Sequence, residues 1–197
     1  MIIDSHCHAR RYWPYAPPIP DPSRRGSVEQ FLFEDGLRFI GKAVEHNQIA
    51  SLAIPLRLPP ILRHVAECCQ TVPFLCHHLA GARAAEPPPY LLCKEILASA
   101  RVPNLSVNMS GFGYASTVGY EYPYSERACF VRDLYERFGH DRLRWSSNYP
   151  PVRWYLTYQQ ALEAFRSHCT FLPDDHKQRL LRGAGPDLIG AGRRQFP

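Results

Sequence analysis

The sequence predicts an α/β protein in which about five parallel strands alternate with helices. Three observations carry that reading. Short apolar runs recur between longer stretches whose apolar residues follow a helical spacing. Nineteen prolines punctuate the 197 residues, as the many element boundaries of a repeating strand–helix unit require. Four short segments rich in His, Ser and Asn follow predicted strands, where α/β enzymes place their chemistry.

The first apolar run is Ile2-Ile3-Asp4-Ser5-His6-Cys7-His8, ending in His-x-His. Alternate side chains of a strand share a face, so His6 and His8 project together and form a half-site for Zn²⁺ or a similar divalent ion. The plain alternative is a pair of histidines that only hydrogen-bond. Residues 12–22, rich in Pro and aromatics, read as loop. Ser27-Val28-Glu29-Gln30 reads as a capping box that starts a helix with Val28, Phe31 and Leu32 apolar. Asp35-Gly36 interrupts it, and Leu37, Ile40, Ala43 and Val44 resume a helical spacing. Residues 49–54 are a buried strand ended by Pro55, and Pro59-Pro60 opens a helix through Cys69.

The alternation then repeats. Residues 72–77 are strand-like, 90–100 helical, 105–109 strand-like, 125–138 helical and 143–146 strand-like. Thr157-Tyr158-Gln159-Gln160 reads as a second capping box, leading a helix to about residue 168. A last helix covers about 174–181. His64, His140, His168 and His176 fall on helices or helix ends without a partner spacing and read as surface or satisfied histidines.

Composition narrows the class. Forty-five per cent hydrophobic and 21% charged residues describe a globular chain. The net charge of +5 is modest, and basic residues come as scattered pairs such as Arg10-Arg11 and Arg24-Arg25. No basic block or basic–aromatic stripe points to nucleic acid, and no apolar run is long enough for a membrane span. Asp4, His6 and His8 interrupt the one apolar start that a secretory signal would use. Seven cysteines, an odd number with no Cys-x-x-Cys, fit a reduced cytoplasmic setting with free thiols. The adjacent Cys68-Cys69 lies in a helical pattern and reads as packing.

Four motifs taken in order, Asp4-Ser5-His6-Cys7-His8, Cys76-His77-His78-Leu79-Ala80-Gly81, Asn108-Met109-Ser110-Gly111-Phe112 and Trp145-Ser146-Ser147-Asn148-Tyr149-Pro150, resemble the amidohydrolase-related family of metal-dependent (β/α)₈ barrels. That family includes hydrolases, lactonases and decarboxylases of carboxylate-bearing substrates. The resemblance implies that His6, His8 and His78 are metal ligands, with His77 in place of an acidic residue. Asn108 stands where the family has Lys in Lys-x-Ser-Gly. Asn148 stands where Gly-Ser-Asp-Tyr-Pro carries the last-strand Asp, which binds the metal or handles the proton of its water. The His that family members place after the strand resembled by 51–54 is also missing.

The likeness covers residues 1 to about 33 and about 36 to 190, jumping from the helix after strand one to the helix before strand five. An eight-stranded barrel needs about 250 residues. Three missing strand–helix units of roughly 30 residues each would amount to about 90. The resemblance thus implies a TIM-barrel-like but incomplete single domain over 1–197, with an internal deletion near 33–36. Five strands cannot close as eight do, and two new edges would favour homo-oligomerisation.

Two functional readings follow. In the first, the chain is a metal-dependent hydrolase or decarboxylase of a small carboxylate-bearing or cyclic substrate. A divalent metal, Zn²⁺ first, sits on His6, His8 and His78, and His78 and Asn148 occupy the catalytic positions. Arg10 is an anchor for a substrate carboxylate or simply a solvated charge. Tyr12, with Trp13 and Tyr15, faces substrate or packs as a lid, and Ser110 lines the mouth. In the second reading, Asn148, which has no useful basicity, and the missing strands leave a catalytically impaired remnant that binds or oligomerises. Neither reading predicts nucleic-acid or membrane partners.

Overall fold

The computed structural model describes residues 36–46, 48–53, 59–81, 93–113 and 122–182. The opening strand, with His6, His8, Arg10 and Tyr12, lies outside the described residues, as do the 33–35 side of the proposed deletion and the first capping box.

The described chain runs α1 (Gly36–Glu45), β1 (Ala50–Leu52), α2 (Pro59–Cys68), β2 (Phe74–Cys76), α3 (Lys94–Ala98), β3 (Leu105–Met109), α4 (Ser125–Phe138), β4 (Leu143–Trp145), α5 (Tyr158–Arg166) and α6 (Asp174–Arg182). The four strands form one parallel sheet in the order β1-β2-β3-β4. Sequence neighbours are therefore spatial neighbours, each joined through a helical crossover, which is half of a strand–helix barrel. The expected alternation is present, and α4 and β3 keep their predicted bounds.

Register sorts the strand residues onto two faces, because paired residues of parallel strands share a face and successive ones alternate. One face carries Ala50, Leu52, Phe74, Cys76, Leu105, Val107, Met109, Leu143 and Trp145. It is apolar throughout, and α4 and α6 pack on it at β4. The other carries Ser51, Leu75, Ser106, Asn108 and Arg144. This second face corresponds to the lumen of a barrel, and its polar run of Ser, Asn and Arg is unlike the branched apolar layers that usually fill one.

Local chemistry fixes the helix ends. In α5, Thr157 accepts from the Gln160 amide at 3.1 Å, and Gln160 Oε1 accepts from the Thr157 amide at 2.9 Å, the predicted capping box. In α1, Ile40 and Ala43 are buried as expected, whereas Val44 faces solvent. Asn104, just before β3, ties the layers together. Its Nδ2 group donates to the carbonyls of Ala66, Cys69 and Val72 at 2.9–3.1 Å, pinning the end of α2 and the turn into β2 against the start of β3. His140 and His176 do have a partner: each other. Their rings stack 3.9 Å apart and 11° from parallel, joining α6 to the turn before β4.

Candidate active site

The polar face continues past the strand ends, where three sequence-predicted segments meet. β2 ends at Cys76, a fully buried residue on the apolar face whose thiol burial pushes up to about 12. Cys76 lies on the apolar face, away from the side that carries Ser51, Asn108 and Arg144, and packs in the core. His77 follows on the polar face, buried, and its Nε2 shares a hydrogen bond with Ser51 Oγ of β1.

The next three residues, His78, Leu79 and Ala80, all take left-handed backbone at φ of 56°, 52° and 56°. Each such non-glycine residue costs roughly 1–3 kcal/mol. Leu79 and Ala80 are both 0% exposed, so their burial in the core holds the turn in place. The turn swings His78 toward the end of β3, where its Nδ1 lies 2.8 Å from Ser110 Oγ. Strict strand alternation would send His77 and His78 to opposite faces. The turn overrides it: both imidazoles reach serines of the polar face, their ring centres 5.7 Å apart.

Between β3 and β4 the same face is closed by Ser146, whose hydroxyl donates to Asn108 Oδ1. Asn148, two residues on, is buried with left-handed backbone at φ 57°. Its carbonyl accepts from the Val152 amide at 3.0 Å, and Ser147 Oγ accepts from the Tyr149 amide at 2.9 Å, so the β4 exit is a tight, hydrogen-bonded turn. Arg144 brings a buried guanidinium to this face, with Nη1 donating to the Leu143 carbonyl at 2.7 Å. Beside the exit is a small cleft lined by Gly111, Gly113, Ser146, Ser147 and Tyr155 among others. Gly113 is obligatory there, because a Cβ would fall 2.5 Å from Tyr155 Cβ.

The structure brings His77, His78 and Ser110 together past the ends of β2 and β3, with Asn108 on the same face of β3 and Asn148 in the turn after β4. Ser110 is 1% exposed and partners His78, so it orients an imidazole from within the wall. Sequence reasoning did not single out Ser51 or Ser146. Their only signal was strand phase, which needs the cross-strand register to read. Among the described residues no group of three or more His, Cys, Asp or Glu is placed to hold a metal ion. The described donors here are two neutral-capable imidazoles with no carboxylate. They fit an N-ligated divalent ion only when further ligands come from elsewhere, as His6 and His8 would provide.

The amidohydrolase family model matches residues 34–184. The chain belongs to the amidohydrolase family. Solved structures agree on the fold. A zinc-bound amidohydrolase from Burkholderia multivorans superposes with a TM-score of 0.75 at 14% identity, over 85% of this chain and 61% of that one. A Pseudomonas putida structure described as a 2-pyrone-4,6-dicarboxylic acid hydrolase gives 0.68 at 18%, over 82% and 59%. A dihydroxybenzoic acid decarboxylase from Polaromonas sp. JS666, with bound manganese and the inhibitor 2-nitroresorcinol, gives 0.55 at 12%, over 83% and 56%. The chain spans less than two thirds of the length of these relatives. No curated protein matches it significantly.

Proposed function

We propose that this amidohydrolase is a metal-dependent enzyme of small carboxylate-bearing or cyclic substrates, performing lactone or amide hydrolysis or a decarboxylation. The observation that carries the reading is the convergence of His77 and His78 on one polar wall at the strand ends of an amidohydrolase domain. Neighbours of the fold hold zinc or manganese, which supports a divalent ion. His6, His8 and His78 would hold it. When bound, such an ion supplies Lewis acidity and an acidified water.

The chain's own residues set up the rest. Ser110 holds the His78 ring through Nδ1, so ligation of a metal would fall to Nε2. The buried Arg144 guanidinium gives the polar face a positive charge that favours an anionic substrate, and Arg10 would add to it. Asn148 stands at the position of the proton-handling carboxylate but offers only an amide oxygen, so hydrolysis that needs a base there is slow. Decarboxylation depends less on such a base.

Metal content per chain, read by inductively coupled plasma mass spectrometry, tests the proposal. Near-stoichiometric Zn, Mn or Fe in the wild type, lost in His6→Ala/His8→Ala and in His78→Ala, is expected. A wild type that takes up none of these ions sinks the metal mechanism. The second reading, an impaired remnant that binds or self-associates, is favoured by Asn148 and would then stand.

A further inference from the structure

The two serine–histidine pairs of the polar face differ in reach. Ser110, the partner of His78, is 1% exposed, and Ser106, Ser146 and Ser147 are buried as well. Ser51, the partner of His77, is exposed. Of the described serine–histidine pairs, this one offers its hydroxyl to a molecule arriving from outside. Its imidazole is held from two sides. The His77 amide donates to the Leu52 carbonyl at 2.9 Å, seating buried residue 77 against β1. Ser51 Oγ and His77 Nε2 then share a hydrogen bond. In the tautomer with its proton on Nδ1, Nε2 accepts from the hydroxyl, which is the relation of a nucleophile to its base.

The strand supplies a further donor. The Ala50 amide and the Leu52 carbonyl are spent on the β2 side, so the alternate Ser51 amide turns to the opposite edge, where no described strand pairs. A backbone N–H beside the attacking oxygen is the kind of donor that stabilises charge developing on a carbonyl oxygen. The Ser51 side chain itself stands on the polar face, out of the plane in which an edge pairs.

We propose that Ser51 and His77 form a nucleophilic dyad that accepts the acyl group of small carboxylic esters. The dyad uses no metal and so goes beyond the metal-dependent reading. Ser51 Oγ attacks the ester carbonyl carbon while His77 Nε2 takes the hydroxyl proton. The bond from that carbon to the alkoxy oxygen breaks, and His77 gives the proton to the departing oxygen, which leaves as the alcohol. Water then attacks the Ser51 ester with His77 again as base. Ser51 Oγ regains a proton and the carboxylic acid is released, with no change of oxidation state.

An alkyl fluorophosphonate is the probe, because it bonds phosphorus to an activated serine oxygen with loss of hydrogen fluoride. The full-length protein is treated as purified and in EDTA, then weighed by intact mass spectrometry and digested. The expected result is one phosphonyl group per chain under both conditions, on the peptide holding Ser51. Ser51→Ala should take none, and His77→Ala should react at least about 10²-fold more slowly. Wild type unfolded in urea should stay unlabelled, since only the fold pairs the two residues. The dyad is overturned by a native wild type that takes no label or takes it at another residue. It is equally overturned by labelling that EDTA abolishes without changing the circular dichroism, or by a folded His77→Ala that reacts at the wild-type rate. If a variant is unfolded, the wild-type peptide map with and without urea decides. A protein that labels at Ser51 yet takes up no metal keeps the dyad and loses the metal mechanism, so the two readings fail separately.

Discussion

Asn148 holds a left-handed backbone that few residues adopt without strain, and Asn and Asp are the two that adopt it best after glycine. The exchange Asn148→Asp is therefore conformationally free and changes only the chemistry, adding a basic carboxylate at the β4 exit. General-base catalysis contributes about 10²–10⁴-fold. Hydrolysis of a small carboxylate-bearing lactone by metal-loaded Asn148→Asp is expected to exceed the wild-type rate by about 10²-fold or more. An equal rate in the two proteins places the defect in the missing strands. Cys76 makes a second residue-scale prediction, from linkage. Its thiol is pushed from 9.0 to about 12 by burial, so the folded state holds the proton more tightly than the unfolded one. That contribution is complete below pH 9.0 and is lost as pH rises toward about 12. The urea midpoint should thus fall as pH rises from 9.0 toward about 12, and Cys76→Ala should flatten the fall. An unchanged slope in Cys76→Ala would assign the loss to other groups.

At the scale of elements, Asn104 shows how little of a fold's fastening shows in a hydrophobic pattern. One amide group donates to three carbonyls of the α2–β2 connection, partners 32 to 38 residues away in sequence. Asn104→Ala leaves those buried acceptors short, at a cost of about 1–3 kcal/mol. Urea unfolding should show a lowered midpoint with an unchanged slope, and a midpoint equal to wild type would mean that water replaces the amide without loss. Periodicity made α2, α4 and α5 legible, because their apolar stripes and the Thr157 box are local signals. It failed where long-range geometry decides. Val44 fits the α1 stripe yet is half exposed. The His78-Leu79-Ala80 turn contains no glycine or asparagine to announce left-handed backbone, so His77 and His78 could not be seen to face one wall. The three motifs within the described residues were legible as order and spacing, whereas the pairing of His77 with Ser51 and of Asn108 with Ser146 depends on which strands are neighbours.

At the scale of the molecule, the decisive feature among the described residues is a four-stranded sheet whose β1 edge carries no paired strand. β1 spends the Ala50 amide on Pro73 and the Leu52 carbonyl on His77, both on the β2 side. In a parallel ladder the alternate groups, here the amide and carbonyl of Ser51, turn to the opposite edge. Among the described residues no strand pairs there, and Ser51 and Ala53 are exposed. A barrel removes such an edge by closing, and an edge left open needs another cover. We therefore propose a single domain, shortened near residues 33–36, that protects β1 by pairing with a second copy. Light scattering coupled to size exclusion should find a dimer that dissociates on dilution. Ala53→Lys, which puts a charge at the edge without touching the core, should shift the protein to monomer while its circular dichroism stays the same. A wild type that is monomeric at every concentration, or a variant as dimeric as the wild type, would show that the β1 edge stands alone or that association uses another surface.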